Sequence, residues 1–558
     1  MEQSTFNNSK IIKSILLLVI ACLGLVAVLF IDNRLHGGFY WGKIQLSDSD
    51  FIAYSQRVTS ETPLVTDIYF NDEKLIYDHV DNTFYYSITA DDDGNTPFVT
   101  LADAGASTKD LLLAKSPRVA IYPGETMKLV LYTSDSVSIS NLVFTTLPVM
   151  NVSISAETVD ELGLDETYAI YDYAPVEMDL YDNSDDFDGA SRSIHKSAKI
   201  HMRGGTTIDA PQKSYRMSLL DDSGKMDSKS KEDLLGLRED DDWILYSAYS
   251  DYEKIRTVFC MNLWHDMAAG DNEWNAPVSN EYRFFELFIN GRYHGLYALT
   301  YPIDDKEFKL KDGETLFKKK DWAGSEYSID LEYSEYEDGS GGIYILPGYS
   351  VQDGDAGSFA DLHNLYYEMA YSGEPETIRA TSDIANSIDL WLFYKLTQAV
   401  DNVYGQGVKN LYTATKNSDA GIDGHKLLFA PWDMDQTFGN RYVDGEGRHG
   451  ISSYYNGPDY DLPMEWSTVY FLMQSGDTEI ASQVKARYQD LRNGLWSDDS
   501  ISAMISEYDS EIYGSGAFER TMNRWSDGNY HDPAVGLSDF ENYVLARLAC
   551  MDDYIQSL

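Results

Sequence analysis

Residues 14–31 form an uninterrupted uncharged run, Ser14 followed by ILLLVIACLGLVAVLFI. At about 1.5 Å per residue a helix of this length spans about 27 Å, close to the roughly 30 Å of a bilayer's hydrocarbon core. Lys10 and Lys13 flank it on the N-terminal side. The bias of cationic residues toward the cytoplasm therefore places residues 1–13 inside and everything after Asp32 outside. A cleaved signal peptide carries a shorter apolar stretch and an A-x-A-like site, which is absent here. Val19-Ile20-Ala21-Cys22 resembles a lipoprotein cleavage site, but cutting there leaves the very apolar LGLVAVLFI near the new N-terminus. The expectation is an uncleaved signal anchor over 14–31, a single pass through the cell membrane, and an extracytoplasmic bulk.

That bulk is too long for one ordinary core, so at least two domains are expected of the 558-residue chain. Hydrophobic residues make up 43% and aromatic residues 13%, a globular profile. The 43 Lys plus Arg face 91 Asp plus Glu, a formal charge of −48. Such a field repels phosphate backbones, which argues against nucleic acid as a partner. Of the three cysteines, Cys22 lies in the apolar run, so at most Cys260 and Cys550 can pair. A disulfide scaffold is excluded, and no Cys/His spacing suggests zinc.

From residue 39 to 146 short alternating runs such as TDIYFNDEKLIYD and MKLVLYTSDSVSISNLVF predict a small β-sandwich, with a loop at Asp92–Asn95. From 147 to 558 strands mix with helices. YEKIRTVFCMNLWHDMA has helical apolar spacing, and FFELFINGRYHGLYALT reads as a hairpin turning at Asn290-Gly291. ANSIDLWLFYKLTQAVDN reads as a helix ending near Asp401, and the chain after about Glu479 is mostly helical. The class is α+β, with a mostly antiparallel sheet.

Three stretches can carry chemistry. In LLFAPWDMDQTFGN an apolar strand runs into Asp433 and Asp435. Two residues apart on a strand, both carboxylates would face one cleft and offer oxygen ligands to a hard cation. In LTQAVDNVYGQGVKNLY, Asp401 follows a helix and a Gly-containing loop leads to Asn410 at a strand start. An Asp, then an Asn, then a metal-type Asp is the order of a phosphotransferase. In KIHMRGGTTIDAPQKSYRMSL, Arg203 closes one strand and Lys213 opens the next, where a lysine can balance nucleotide phosphates. Taken singly, each has an ordinary reading as acidic turn, loop hydrogen-bonder or surface lysine.

Together with LPVMNVSI, DWILYSAYSDYEKIRTVF, FFELFINGRYHGLYALTYPID and TLFKKKDW, these stretches resemble the CotH family of spore-coat and secreted atypical protein kinases, from about Leu147 to the mid-500s. The resemblance implies a divergent protein-kinase-like domain that uses ATP with Mg²⁺ or Mn²⁺ and phosphorylates Ser, Thr or Tyr of surface, coat or cell-wall-associated proteins. It implies that Asp401 is the catalytic aspartate and that Asn410, Asp433 and Asp435 hold metal. Lys213, Arg203 and Lys318 would meet the nucleotide phosphates, with Trp432 near the adenine. Arg256 would make a structural salt bridge that orients an active-site carboxylate. Tyr301 stands where the family commonly has Glu, and the loop from Asp401 to Asn410 is longer than usual. Two other readings stay open: a metal-dependent glycosyltransferase built on Asp433-Met434-Asp435, and a non-catalytic surface scaffold.

Overall fold

The computed structural model describes residues 48–558 apart from 71–72, 90–98, 102–110, 115–123, 125, 133–134, 185–186, 188–190, 323–345, 347, 355–358, 446–447, 453 and 526–535. The apolar run 14–31, its Cys22 and the loop at Asp92–Asn95 lie outside the described residues. Among the described residues no helix is long and apolar enough to cross a membrane.

The chain up to residue 145 builds two sheets. Ile68–Phe70, Glu73–Lys74 and Val99–Leu101 form one. The other has five strands in the order Ile76–Asp78, Thr83–Ser87, Val137–Thr145, Thr126–Tyr132, Leu111–Ala114. Ile68 and Phe70 from the first share a buried core with Phe84, Tyr86, Leu129, Leu131, Leu142 and Phe144 from the second. The outer face of the five-stranded sheet packs against strands of the next domain. Tyr85 and Val143 meet Val149, Phe288 and Tyr293, and the buried Asp78 carboxylate accepts from the Tyr293 amide at 2.8 Å.

Seven strands of that domain form a closed barrel. Around it run Ala174–Tyr181, Ser193–Arg203, Ser214–Leu219, Asp242–Tyr246, Arg292–Thr300, Arg283–Ile289 and Val149–Ser153. The expected mostly antiparallel sheet is present, and it closes on itself. The seam that closes it is parallel, pairing Glu286 with Val149 and Ile289 with Val152, while the other junctions are antiparallel. Closure removes both sheet edges. Alternating residues (Met178, Ile200, Met202, Tyr215, Met217, Trp243, Leu245, Leu299) fill the interior, so Arg203 and Arg216 point outward. The Asn290-Gly291 hairpin forms as predicted, both residues at positive φ (52° and 76°), as a two-residue turn of this type requires.

Outside the barrel, a second sheet in the order Tyr349–Asp353, Thr315–Lys319, Leu411–Ile422, His425–Pro431 packs with helices into the largest core. The predicted helix appears as Arg256–Ala268, with ten buried residues on a strongly apolar stretch. The next predicted helix spans Ile384–Thr397 and ends at Gln398 (φ 53°), shortly before Asp401. Ile480–Arg492, Asp498–Asp509, Ala517–Arg524 and Ser538–Ser557 make the C-terminal part helical. Cys260 and Cys550 are both free.

Candidate active site

The site grows from two chain crossings held by one side chain. Asn402, fully buried, donates from its Nδ2 to the carbonyls of Asn410 (3.1 Å) and Trp432 (2.7 Å). The Trp432 amide in turn donates to the Asn410 carbonyl at 3.0 Å. The segments carrying Asp401, Asn410 and Asp433 are therefore tied within a few bonds of one another. The long connection from Asp401 to Asn410 does not separate them. Val403–Tyr404 pairs with Gly407–Val408, so the extra residues loop out as a hairpin, and Nδ2 of Asn410 still reaches Oδ2 of Asp401 at 3.1 Å. Lys409 holds the other oxygen, its Nζ 2.8 Å from Oδ1. Burial raises the Asp401 pKa, the Lys409 ammonium opposes that, and the Asp433 charge reinforces it.

Asp433 and Asp435 lie beyond the strand, which ends at Pro431, so strand alternation does not set their directions. Asp433 takes a left-handed conformation (φ 59°), as does Asn410 (φ 51°), a geometry Asp and Asn tolerate better than most residues. Asp433 is exposed, whereas Asp435 is half-buried and accepts from the Ser250 hydroxyl at 2.9 Å. Burial, then the charges of Asp433 and Asp401, raise the Asp435 pKa well above the usual carboxylate range. The three carboxylates thus feel one another.

This loop is braced from below. Arg256, wholly buried, donates to Asp251 at 2.6 Å, to Glu253, and from Nε to the carbonyl of Thr437 at 3.1 Å. The rings of Tyr454 and Phe540 lie 5.3 Å from its guanidinium. The expected structural salt bridge is present, and its third bond fixes the turn two residues past Asp435.

Cations face the carboxylates from the barrel and from the second sheet. Lys318 lies 4.8 Å from the ring centres of both Tyr412 and Trp432, and the Arg203 guanidinium 5.9 Å from Trp432. Neither has a salt-bridge partner among the described residues, although carboxylates outnumber cations about two to one in the chain. Burial, helped by Arg203, pushes the Lys318 pKa down to about 7, against the pull of Asp433. Trp432 is buried, with the Arg203 guanidinium and the Lys318 ammonium both near its ring.

Lys213 is not in this group. Its ammonium donates to the Ile208 carbonyl at 2.9 Å, and its charge helps to lower the Asp165 pKa. Tyr301 is also elsewhere, beneath the Arg238 guanidinium at 4.3 Å and within the barrel core. Sequence reasoning missed Asn402, Lys409 and Ser250. The Asp-Asn and Lys-Asn dipeptides bracketing the hairpin were the available signal for the first two.

A model of the family described as CotH kinase protein matches residues 200–551. The chain belongs to the CotH kinase family. The match covers every residue of the site, whereas the barrel strands Val149–Ser153 and Ala174–Tyr181 that complete the CotH domain's barrel precede it. No curated protein matches the chain. Among the described residues no cluster of three His, Cys, Asp or Glu side chains has metal-holding geometry. By residue type the oxygens nearby are of the kind hard cations take: the carboxylates of Asp433 and Asp435 and the amide oxygen of Asn410, whose Nδ2 is engaged by Asp401.

Proposed function

We propose that the chain is an ATP- and divalent-metal-dependent protein kinase that phosphorylates hydroxyls of surface or secreted proteins from an extracytoplasmic, membrane-tethered position. The observation that carries this reading is the convergence of Asp401, Asn410, Asp433 and Asp435 with two cations, Arg203 and Lys318, that have no salt-bridge partner among the described residues.

ATP with Mg²⁺ or Mn²⁺, when bound, supplies the transferable phosphoryl group and neutralises its charge. The protein's part is positioning and electrostatics. Asp433, Asp435 and the Asn410 oxygen would hold the cation. Arg203 and Lys318 would meet the phosphates, in the place first assigned to Lys213. Asp401, held at one oxygen by Asn410 and at the other by Lys409, would orient the acceptor hydroxyl and take its proton. Asn402 and Arg256 keep these segments in register. The direct test is metal-dependent phosphate transfer from ATP to an acceptor protein such as casein. The reading predicts transfer by wild type and loss in both Asp401→Asn and Asp433→Ala; equal activity in all three would sink it.

A further inference from the structure

Between the N-terminal β-domain and the barrel lies a cleft of about 670 Å³, a size typical of small-molecule sites. Residues of the edge strands Glu73–Lys74 and Ile76–Asp78 line it from one side, and residues of Ala174–Tyr181 and Ser193–Arg203 from the other. It shares no lining residue with the phosphotransfer site. The ionisable side chains along its wall find opposite partners, with one exception. Lys74 lies 2.6 Å from Asp67, and His195 lies 2.7 Å from Asp179, its neighbour across the ladder. Glu73, half-buried, is in no ion pair among the described residues. One of its oxygens accepts from the Ser193 hydroxyl at 2.8 Å, across the seam between the two domains. A neutral hydroxyl compensates a desolvated carboxylate less well than a cation does. Burial, opposed by the Ser193 bond and reinforced by the Asp179 charge, pushes the Glu73 pKa up to about 7. The phenol rings of Tyr69, Tyr77 and Tyr181 line the same space.

We propose that this interdomain cleft is a binding site for an organic ammonium, with Glu73 as its counter-ion and the tyrosine rings around its apolar body. The pairing pattern argues for this occupant. One carboxylate awaits a positive charge, and a single ammonium supplies it together with hydrogen-bond donors. Aromatic faces attract the same charge and cover the carbon chain that carries it. An anionic ligand would bring like charge to Glu73 and Asp179, and a neutral one would leave Glu73 as it stands. Because Glu73 belongs to the β-domain and Asp179, Tyr181 and Ser193 to the barrel, the ligand would touch both domains at once.

The test is calorimetric titration of the full chain with phenethylammonium, with phenethyl alcohol as its uncharged counterpart, and with the peptide acetyl-Gly-Lys-Gly-amide. Phenethylammonium should bind saturably and about tenfold or more tightly than the alcohol. Glu73→Gln should abolish that preference, and His195→Gln should keep it. Tighter binding of the peptide assigns the ammonium to a lysine of a protein partner, and tighter binding of the free amine assigns it to a small ligand; either result upholds the site. Wild type offers a second reading. Capture of ionised Glu73 should release about half a proton at about pH 7, seen as a binding heat that varies with the buffer. Asp67, Lys74 and Tyr69 share the cleft with Glu73 from its own sheet, Tyr77 from the neighbouring sheet, and Asp179, Tyr181 and His195 from the barrel. Release that persists in His195→Gln and vanishes in Glu73→Gln is therefore required. Equal affinity for amine and alcohol, a preference or a proton release that survives Glu73→Gln, or no saturable binding of either ammonium overturns the proposal. No step involves ATP, so the outcome is independent of the phosphotransfer reading.

Discussion

Asn410 donates from its Nδ2 to Oδ2 of Asp401 at 3.1 Å, across a loop in which Val403–Tyr404 pairs with Gly407–Val408. The residues between them fold into a hairpin, and the two side chains stay side by side. The bond also sets the amide's orientation: with nitrogen toward Asp401, oxygen is the end that would meet the cation of the proposed function.

Asp401 therefore answers to a charge-neutral replacement. Asp401→Asn removes the proton acceptor and leaves the shape, so phosphate transfer should fall by roughly 10²–10⁴-fold while ATP affinity changes little. Paired measurements of kcat and of ATP binding check this, and a parallel loss of both would contradict the assigned role.

Lys318 and Lys213 separate cleanly. Lys318→Met should weaken ATP binding about 10- to 100-fold, the worth of one charged contact. Lys213→Met should leave it within about twofold, because that ammonium is committed to the Ile208 carbonyl. Titration of both variants decides between Lys213 and the aromatic-flanked Lys318.

The Lys318 pKa of about 7 gives ATP binding a pH signature. Polyphosphate favours the protonated amine, so affinity is greatest below about pH 7 and declines as pH rises through it toward about 8. Lys318→Arg keeps its charge throughout and should flatten the profile. A profile with the same slope in both proteins would exclude Lys318 as its source.

Arg256 is expected to govern stability as well as activity. Replacing it with Met leaves Asp251 and Glu253 buried without their cation, which costs about 3–5 kcal/mol. The same change frees the Thr437 carbonyl that holds the Asp433–Asp435 turn. Urea denaturation should show the loss in midpoint. A shift no larger than that of an ordinary surface substitution would refute the bracing role.

Local chemistry was legible in the sequence, and pairing across distance was not. The Asn290-Gly291 turn and the Arg256–Ala268 helix depend on neighbours a few residues away, so their patterns could be read directly. The barrel closes through Val149–Ser153 against Arg283–Ile289, a parallel contact between distant segments that no local period encodes. At the site, residue types and chain order pointed to Asp401, Asn410, Asp433 and Asp435. The expected strand geometry of the last two failed because the strand stops at Pro431 and Asp433 turns left-handed. Lys213, read as the phosphate lysine because it opens a strand, gives its ammonium to the Ile208 carbonyl, whereas Arg203 points outward near Trp432.

Calorimetric titration of the purified full chain with ATP, in the presence of Mg²⁺ or Mn²⁺, bears most directly on whether these residues form one nucleotide site. Saturable binding that requires the metal, disappears in Asp433→Ala and survives in Lys213→Met is the predicted result. No binding to wild type with either metal, or binding unchanged by Asp433→Ala, would contradict it.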